Sequence, residues 1–196
     1  MTDTTFDKAP TEAIADLSGT YTIDASHSRL GFTARHAMVT NVKGSFGAFE
    51  GTVVIDAANP AASTANVTID VATVTTGSAD RDGHLRSGDF FDVENYPTWT
   101  FASTGVEDVD VAGASFTLVG DLTIREITKP VRIALTFEGS AKDPFGNYRA
   151  GFEGKAVVNR KDWDLTWNAA LETGGVLVSD AVRLEFDVSA VRQAAG

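Results

Sequence analysis

The chain of 196 residues contains no cysteine, which excludes disulfides, thiolate metal sites and a cysteine nucleophile. Its formal net charge of −11, from 27 acidic against 16 basic residues, repels polyanions over a long range and argues against nucleic acid and against adsorption to an anionic leaflet. The length suits one domain, and no shift of composition marks an internal boundary.

In chain order, Met1–Leu17 carries Asp3, Asp7, Glu12 and Asp16 among small residues without strand periodicity. It reads as a disordered or loosely docked arm, which leaves 18–192 as the folded domain. The arm has neither the basic nor the apolar region of a signal peptide, and no run reaches the roughly eighteen apolar residues of a membrane span. A soluble, cytoplasmic protein with at most transient membrane contact is expected. From there the pattern alternates apolar and polar residues. Strands are predicted near 19–25, 29–38, 43–56, 64–74, 97–104, 115–125, 130–139, 149–160 and 181–191, roughly eight or nine in all, joined by short connections. The clearest hairpin pairs Phe116, Leu118, Leu122 and Ile124 on one dry face with Val131, Ile133, Leu135 and Phe137 on the other. Thr128-Lys129-Pro130 reads as the breaker between these two strands, because proline cannot donate a ladder hydrogen bond. The connections are too short for parallel crossovers, so the sheet is antiparallel.

A sheet of this size must pack on a second sheet or close on itself to hide its apolar face and its edges, and the alternation does not choose between these. Twelve phenylalanines are spread over strand after strand. A filled core explains them, and so does an elongated cavity, since a barrel of about eight strands is wide enough for either.

Several fragments in fixed order are more specific. They are Tyr21, Asp24, His27-Ser28, Phe32 and His36; then Gly44, Phe46, Phe49 and Gly51; then Arg81, His84-Leu85, Phe90-Phe91-Asp92 and Pro97. Gly120, Leu122-Thr123, Arg125, Thr128, Pro130, Asn159-Arg160 and Asp162 complete the set. With these, the chain resembles the YceI-like family of lipocalin-like, polyisoprenoid-binding proteins from about Gly19 to Val191. The resemblance implies an all-β fold: one extended antiparallel β-barrel of about eight strands, with short helical turns capping its ends and an apolar tunnel for an isoprenoid tail. Two positions depart from the family. Glu126 stands where glycine is common after the arginine, and Trp163-Asp164 stands where Phe-Gly is common, a change that could narrow or cap one end of the tunnel. Many members carry secretion signals, and this chain shows none.

The residues expected to line such a tunnel are Phe32, Phe46, Phe49, Ile69, Phe101, Leu118, Leu122, Phe137, Phe152 and Trp163, with His36 and His84 as polar candidates. His36 shares the parity of Leu30, Phe32 and Ala34, and reads either as a core histidine or as a head-group ligand. His27 sits among turn residues and reads as a hairpin cap. Ser78–Arg86 reads as a short polar helical turn for which Ser78 is a candidate N-cap, and either as a plug over one barrel end that would bring Arg81, His84 and Arg86 near a mouth or, equally, as a solvated surface turn. Trp163 and Trp167, four apart, read as one helical turn with both indoles on one side, packed over a barrel end or forming a gate.

No catalytic or metal set is expected. The three histidines match no zinc spacing, and no serine lies in a nucleophile elbow. The expectation is a non-enzymatic binder, carrier or store of an isoprenoid quinone or prenyl phosphate, without cofactor. The alternatives are a binder of fatty acids or amides, and a stress-linked scaffold without cargo. A homodimer covering an apolar mouth is a further partner expectation.

Overall fold

Along β6 (Ser115–Ile124) the inward positions Leu118, Gly120, Leu122 and Ile124 are buried and the residues between them are half-buried, so the period of two in the sequence is a period of two in space. The computed structural model describes residues 17–112 and 114–194. Among these the other strands are β1 (Gly19–Ile23), β2 (Arg29–His36), β3 (Thr40–Ile55), β4 (Thr64–Thr75), β5 (Thr98–Asp110), β7 (Ile127–Lys142), β8 (Tyr148–Asn159) and β9 (Val178–Arg192), with one helix, α1 (Ala79–Arg86). Residues 1–16 of the expected arm lie outside the described part. Leu17 is buried, and its carbonyl accepts a 2.8 Å hydrogen bond from the Tyr21 hydroxyl. No helix among the described residues is long and apolar enough to cross a membrane.

All neighbouring strands are antiparallel, and the order β3-β2-β9-β8-β7-β6-β5-β4 is closed by the β3–β4 ladder, so eight strands form a barrel. The ninth, β1, lies in the gap that β2 occupies, between β3 and β9. Tyr21 is opposite Val53 and Arg192, as Leu30 is opposite Phe46 and Phe186. β1 and β2 are therefore one stave, interrupted by the 3-10 turn Ala25–His27, whose N-cap Asp24 accepts from the Ser26 N–H. Closure satisfies the ladder of every strand and leaves no long edge.

The β6–β7 turn is not at Thr128–Pro130. It is the pair Arg125-Glu126, with φ of 50° and 68°, a left-handed pair of the kind that suits the twist of a hairpin. Pro130 stands inside the ladder, opposite Asp121. Counting out from a two-residue turn, that pair is not hydrogen-bonded, and β8 begins to pair with β7 only at Ala134. Proline is tolerated there because no partner asks for its missing N–H. Several strands also run past their apolar alternation, β5 to Asp110 and β7 to Lys142, because ladder pairing continues where the side chains have turned polar.

Arg149 of β8 ties the interrupted stave to the β7–β8 turn. Its Nη1 lies 2.7 Å from Asp24 Oδ2 and its Nε lies 2.9 Å from Asp143 Oδ2. His27 Nδ1 meets the same Asp24 oxygen at 2.8 Å, a role confined to this turn. Hydrogen bonds from Ser26, Arg149 and His27 hold the Asp24 carboxyl well below the usual range. Asp143 is lowered to about 2, chiefly by Asn147 and then by Arg149.

Two outcomes follow. Carboxyls depressed in the fold stabilise it above their unfolded pKa, near about 4, and lose that effect as pH falls toward the folded value. Thermal unfolding should thus give a level Tm from pH 7 to about 5 and a decline from about 4 to 2. Arg149→Met should lower Tm at neutral pH and flatten that decline. At the hairpin, Glu126→Gly relieves a left-handed non-glycine residue that costs roughly 1 kcal/mol, and should raise Tm by about 2 °C in a calorimetric scan.

Candidate ligand cavity

The barrel is only partly filled. Three clusters of buried side chains pack its wall and ends, and between them lies a cavity of about 530 Å³, in the range of roughly 300–1,000 Å³ that holds small ligands. Every strand contributes to its surface, which is apolar almost throughout. The polar side chains on it fall at the two ends: Asp56, Ser63, Thr64, Asp110 and Ser115 at one, Arg160 at the other.

Space exists because glycines stand opposite large side chains. Gly44 of β3 is paired with Phe32, and a Cβ there would overlap the phenyl ring. At Gly120 a Cβ would overlap the ring of Phe101, and at Gly154 it would come within 2.6 Å of Leu135. Each bulky group therefore lies against the bare backbone of a neighbouring strand instead of projecting across the lumen. Without these windows the same phenylalanines would meet in the middle.

One end is closed. After β4 the chain forms α1, then brings Phe90 and Phe91 back over the lumen, where both are buried and line the cavity with Leu85. Arg86 fastens α1 to β4 by donating to the carbonyls of Ala72 and Val74 at 2.8 and 2.9 Å, and Arg81 Nε donates to Thr76 Oγ1 at 2.7 Å. The segment after β8 supplies the rest. Its 3-10 turn spans only Arg160–Trp163, so Trp163 and Trp167 do not share a helical turn as their spacing suggested. Trp163 is 2% exposed, faces the cavity and donates its indole N–H to the Leu122 carbonyl at 3.0 Å. Trp167 packs on the lid instead, its ring 4.6 Å from that of His84 and 5.3 Å from that of Phe90.

Arg160 is the buried cation of this end. Its Nη1 donates to the carbonyls of Leu165 and Trp167, its Nε to that of Ser179 at 3.0 Å, and its Nη2 faces Asp180 at 3.5 Å. Burial pushes its pKa down, opposed by Asp180. The guanidinium thus pins the β8–β9 connection across the barrel end. Behind the lid residue Phe91 stands Trp99, in edge-on contact with Phe46 and Phe91 at 5.1 and 4.7 Å between ring centres. Trp99 Nε1 is the buried side-chain polar atom without a hydrogen-bond partner among the described residues.

Among the described residues, the other end opens between the β3–β4 connection and the β5–β6 hairpin, with Leu17 beside it on the cavity surface. Val109 and Val111 line the cavity there and are 42% and 53% exposed.

Of the residues expected in a tunnel, Phe32, Phe46, Ile69, Phe101, Leu118, Leu122, Phe137, Phe152 and Trp163 stand on the cavity surface. Phe49, His36 and His84 do not. Phe49 is buried in a separate cluster with Ile23 and Leu30, beyond a register shift between Phe46 and Ala48. His36 is exposed: β2 leaves the lumen after Ala34, and its register with β9 slips between Ala34 and His36, so the parity no longer points inward. His84 lies on the outer side of the lid, its Nε2 2.8 Å from Asp89 Oδ2, and neither it nor Arg81 or Arg86 lines the cavity. Sequence reasoning did not assign Arg160 or Trp99 to the site. Arg160 continues the inward parity of Ala156 and Val158, a signal that was available. Among the described residues no group of three or more His, Asp or Glu side chains is placed to hold a metal ion.

A closed antiparallel barrel of eight strands around an apolar cavity, lidded at one end and open at the other, defines a lipocalin-like fold. The chain belongs to the YceI-like family, whose domain model matches residues 21–190. A UPF0312 protein of Ectopseudomonas mendocina is 40% identical over 179 residues, 90% of each chain. The crystal structure of the Campylobacter jejuni YCEI protein is similar at a TM-score of 0.69 and 29% identity, over 82% of this chain and 90% of that one. A polyisoprenoid binding domain from Saccharophagus degradans, implicated in plant cell wall breakdown, shares the fold at a TM-score of 0.65 and 19% identity, over 88% and 98% of the two chains.

If the glycine windows set the lumen's width, Gly44→Val should drive the Phe32 ring inward. The overpacking of roughly 1–3 kcal/mol should weaken uptake of the fluorescent apolar probe N-phenylnaphthylamine about tenfold, with the far-ultraviolet circular dichroism of the barrel kept. Unchanged uptake would show that Phe32 does not bound the ligand space.

Proposed function

We propose that this protein is a non-enzymatic carrier or store of a long-chain isoprenoid lipid, held in the barrel cavity. The observation that carries the reading is the cavity itself: a lumen of about 530 Å³ with an apolar wall and polar side chains only at its ends. Such a wall binds by removing methylene groups from water, about 0.8 kcal/mol for each, and is tolerant of chemical detail along the tail. Branched prenyl chains fill it as well as straight ones would. The similarity to the polyisoprenoid binding domain supports the isoprenoid class.

The polar groups of the closed end favour one kind of head. Trp99 brings a buried N–H donor that has no partner among the described residues, so an acceptor such as a quinone carbonyl or a phosphate oxygen suits that end, and an ammonium does not. This leads us to an isoprenoid quinone or prenyl phosphate rather than a fatty amine. Fatty acids and amides also carry acceptors and form the second reading.

Native mass spectrometry of the freshly purified protein, followed by extraction of whatever is released, tests this directly. A stoichiometric adduct whose masses step by isoprene units is expected, and Leu122→Trp, which places an indole in the lumen, should lose it while staying folded. A fatty-acid adduct would transfer the cavity to the second reading. A clean apo mass together with no uptake of added prenyl lipid would remove both.

A further inference from the structure

The open end carries more than a hole. β5 runs into β6 and β7 into β8 at the same end of the barrel, so the β5–β6 hairpin and the β7–β8 turn are neighbours around the mouth. Each presents apolar side chains to solvent: Val109 and Val111 on the first, and Phe145, 90% exposed, on the second. The turn that holds Phe145 out is built. The Asp143 carboxylate accepts from the backbone N–H groups of Phe145 and Asn147, both at 2.9 Å, and from the Asn147 amide at 3.0 Å, while Arg149 braces it from β8. The backbone that presents the ring is ordered in advance, so the turn gives up little freedom on docking.

Other exposed apolar side chains do not share this setting. Met38, Val39 and Val176 stand at the lidded end, where Phe90, Phe91 and Trp163 close the lumen, and Val157 stands alone on the outer wall. Among the described residues, Val109 and Val111 at the open end are the exposed large apolar side chains that themselves line the cavity, while Val54 stands between the cavity residues Val53 and Ile55 without lining it. Charge narrows the choice of partner. Asp56 and Asp110 line the mouth, and Glu107 and Asp108 stand on the outer face beside it, where they pair with Arg132. With the net charge of −11 behind them, they repel an anionic surface.

We propose that this end of the barrel docks on an electrically neutral bilayer, with Val109, Val111 and Phe145 entering its interface, so that a lipid passes between membrane and cavity without crossing water. The proposal rests on the lipid-carrier reading and names the surface from which that carrier loads.

The test uses the full chain and a menaquinone as probe, followed by quenching of Trp99 and Trp163 in the cavity wall. Uptake is measured from detergent, which needs no docking, and from phosphatidylcholine vesicles, which does. Phe145→Asp and Phe145→Ser change an exposed side chain that does not line the cavity, so both should load from detergent as the parent does, and each should load from the vesicles at least about fivefold more slowly. Vesicles rich in phosphatidylserine should load the parent more slowly than phosphatidylcholine, with the difference shrinking at high salt. Variants that load from vesicles at the parent's rate, or faster loading from the anionic vesicles, would overturn the docking and leave the tips to a protein partner, with the carrier reading intact. Variants that also fail in detergent would overturn it too, by making Phe145 part of the cavity. Failure of the parent itself to load from detergent would instead sink the carrier reading on which the proposal stands.

Discussion

The β3–β4 ladder is the contact on which everything else depends. Along Ser45–Val54 of β3 and Thr64–Thr75 of β4 it joins the two ends of an eight-stranded sheet. Once they are joined, each strand has a neighbour on both sides and the apolar face has no exit, so it must enclose whatever it does not fill. At eight strands the interior is just wide enough for side chains to occupy it, and no wider. Large side chains on every strand would close it. The glycines at 44, 120 and 154 tip the balance, because they let Phe32, Phe101 and Leu135 lie along the wall.

Closure also separates the two ends chemically. Where the chain returns through α1 and through the segment after β8, long connections supply Phe90, Phe91, Trp163 and the buried Arg160, and the lumen is stopped. Where it returns through the tight β5–β6 and β7–β8 hairpins, these connections are too short to cover it, and among the described residues the mouth remains. Arg160 makes the contrast durable. A guanidinium shared among carbonyls on both sides of the β8–β9 connection cannot be removed without orphaning them, so the lid belongs to the fold.

The wall was legible because β-structure has a short memory. Leu118, Leu122 and Ile124 needed only their own alternation to be placed inward, and Phe137 and Phe152, paired across β7 and β8, needed the same. The error at His36 has the same origin. Parity counting assumes that the strand stays in register and stays over the lumen, and β2 does neither beyond Ala34. Phe49 failed for another reason: the slip between Phe46 and Ala48 gives it the parity of Val53 and Ile55, which line the cavity, and it is buried against Ile23 and Leu30 short of the cavity surface. His84 failed differently. A short helix offers several faces, and Asp82, Arg81 and Arg86 chose among them through bonds to Thr76, Ala72 and Val74 that no local pattern announces. The turn at Arg125-Glu126 went unread because neither residue advertises a left-handed conformation, whereas the nearby proline drew the break toward itself.

What the amino-acid sequence determined by itself is the sheet: the number of strands, their inward residues and their antiparallel order, all of which rest on period-two alternation and short connections. The family, too, was carried by motifs spread along the chain. Only the tertiary structure decided whether that sheet was filled or hollow, which end was stopped and which stood open. Those outcomes depend on how glycine on one strand meets phenylalanine on another, and on where two long connections come to rest. Such meetings join residues far apart in the chain, and an alternation read along one strand holds no record of what stands across from it.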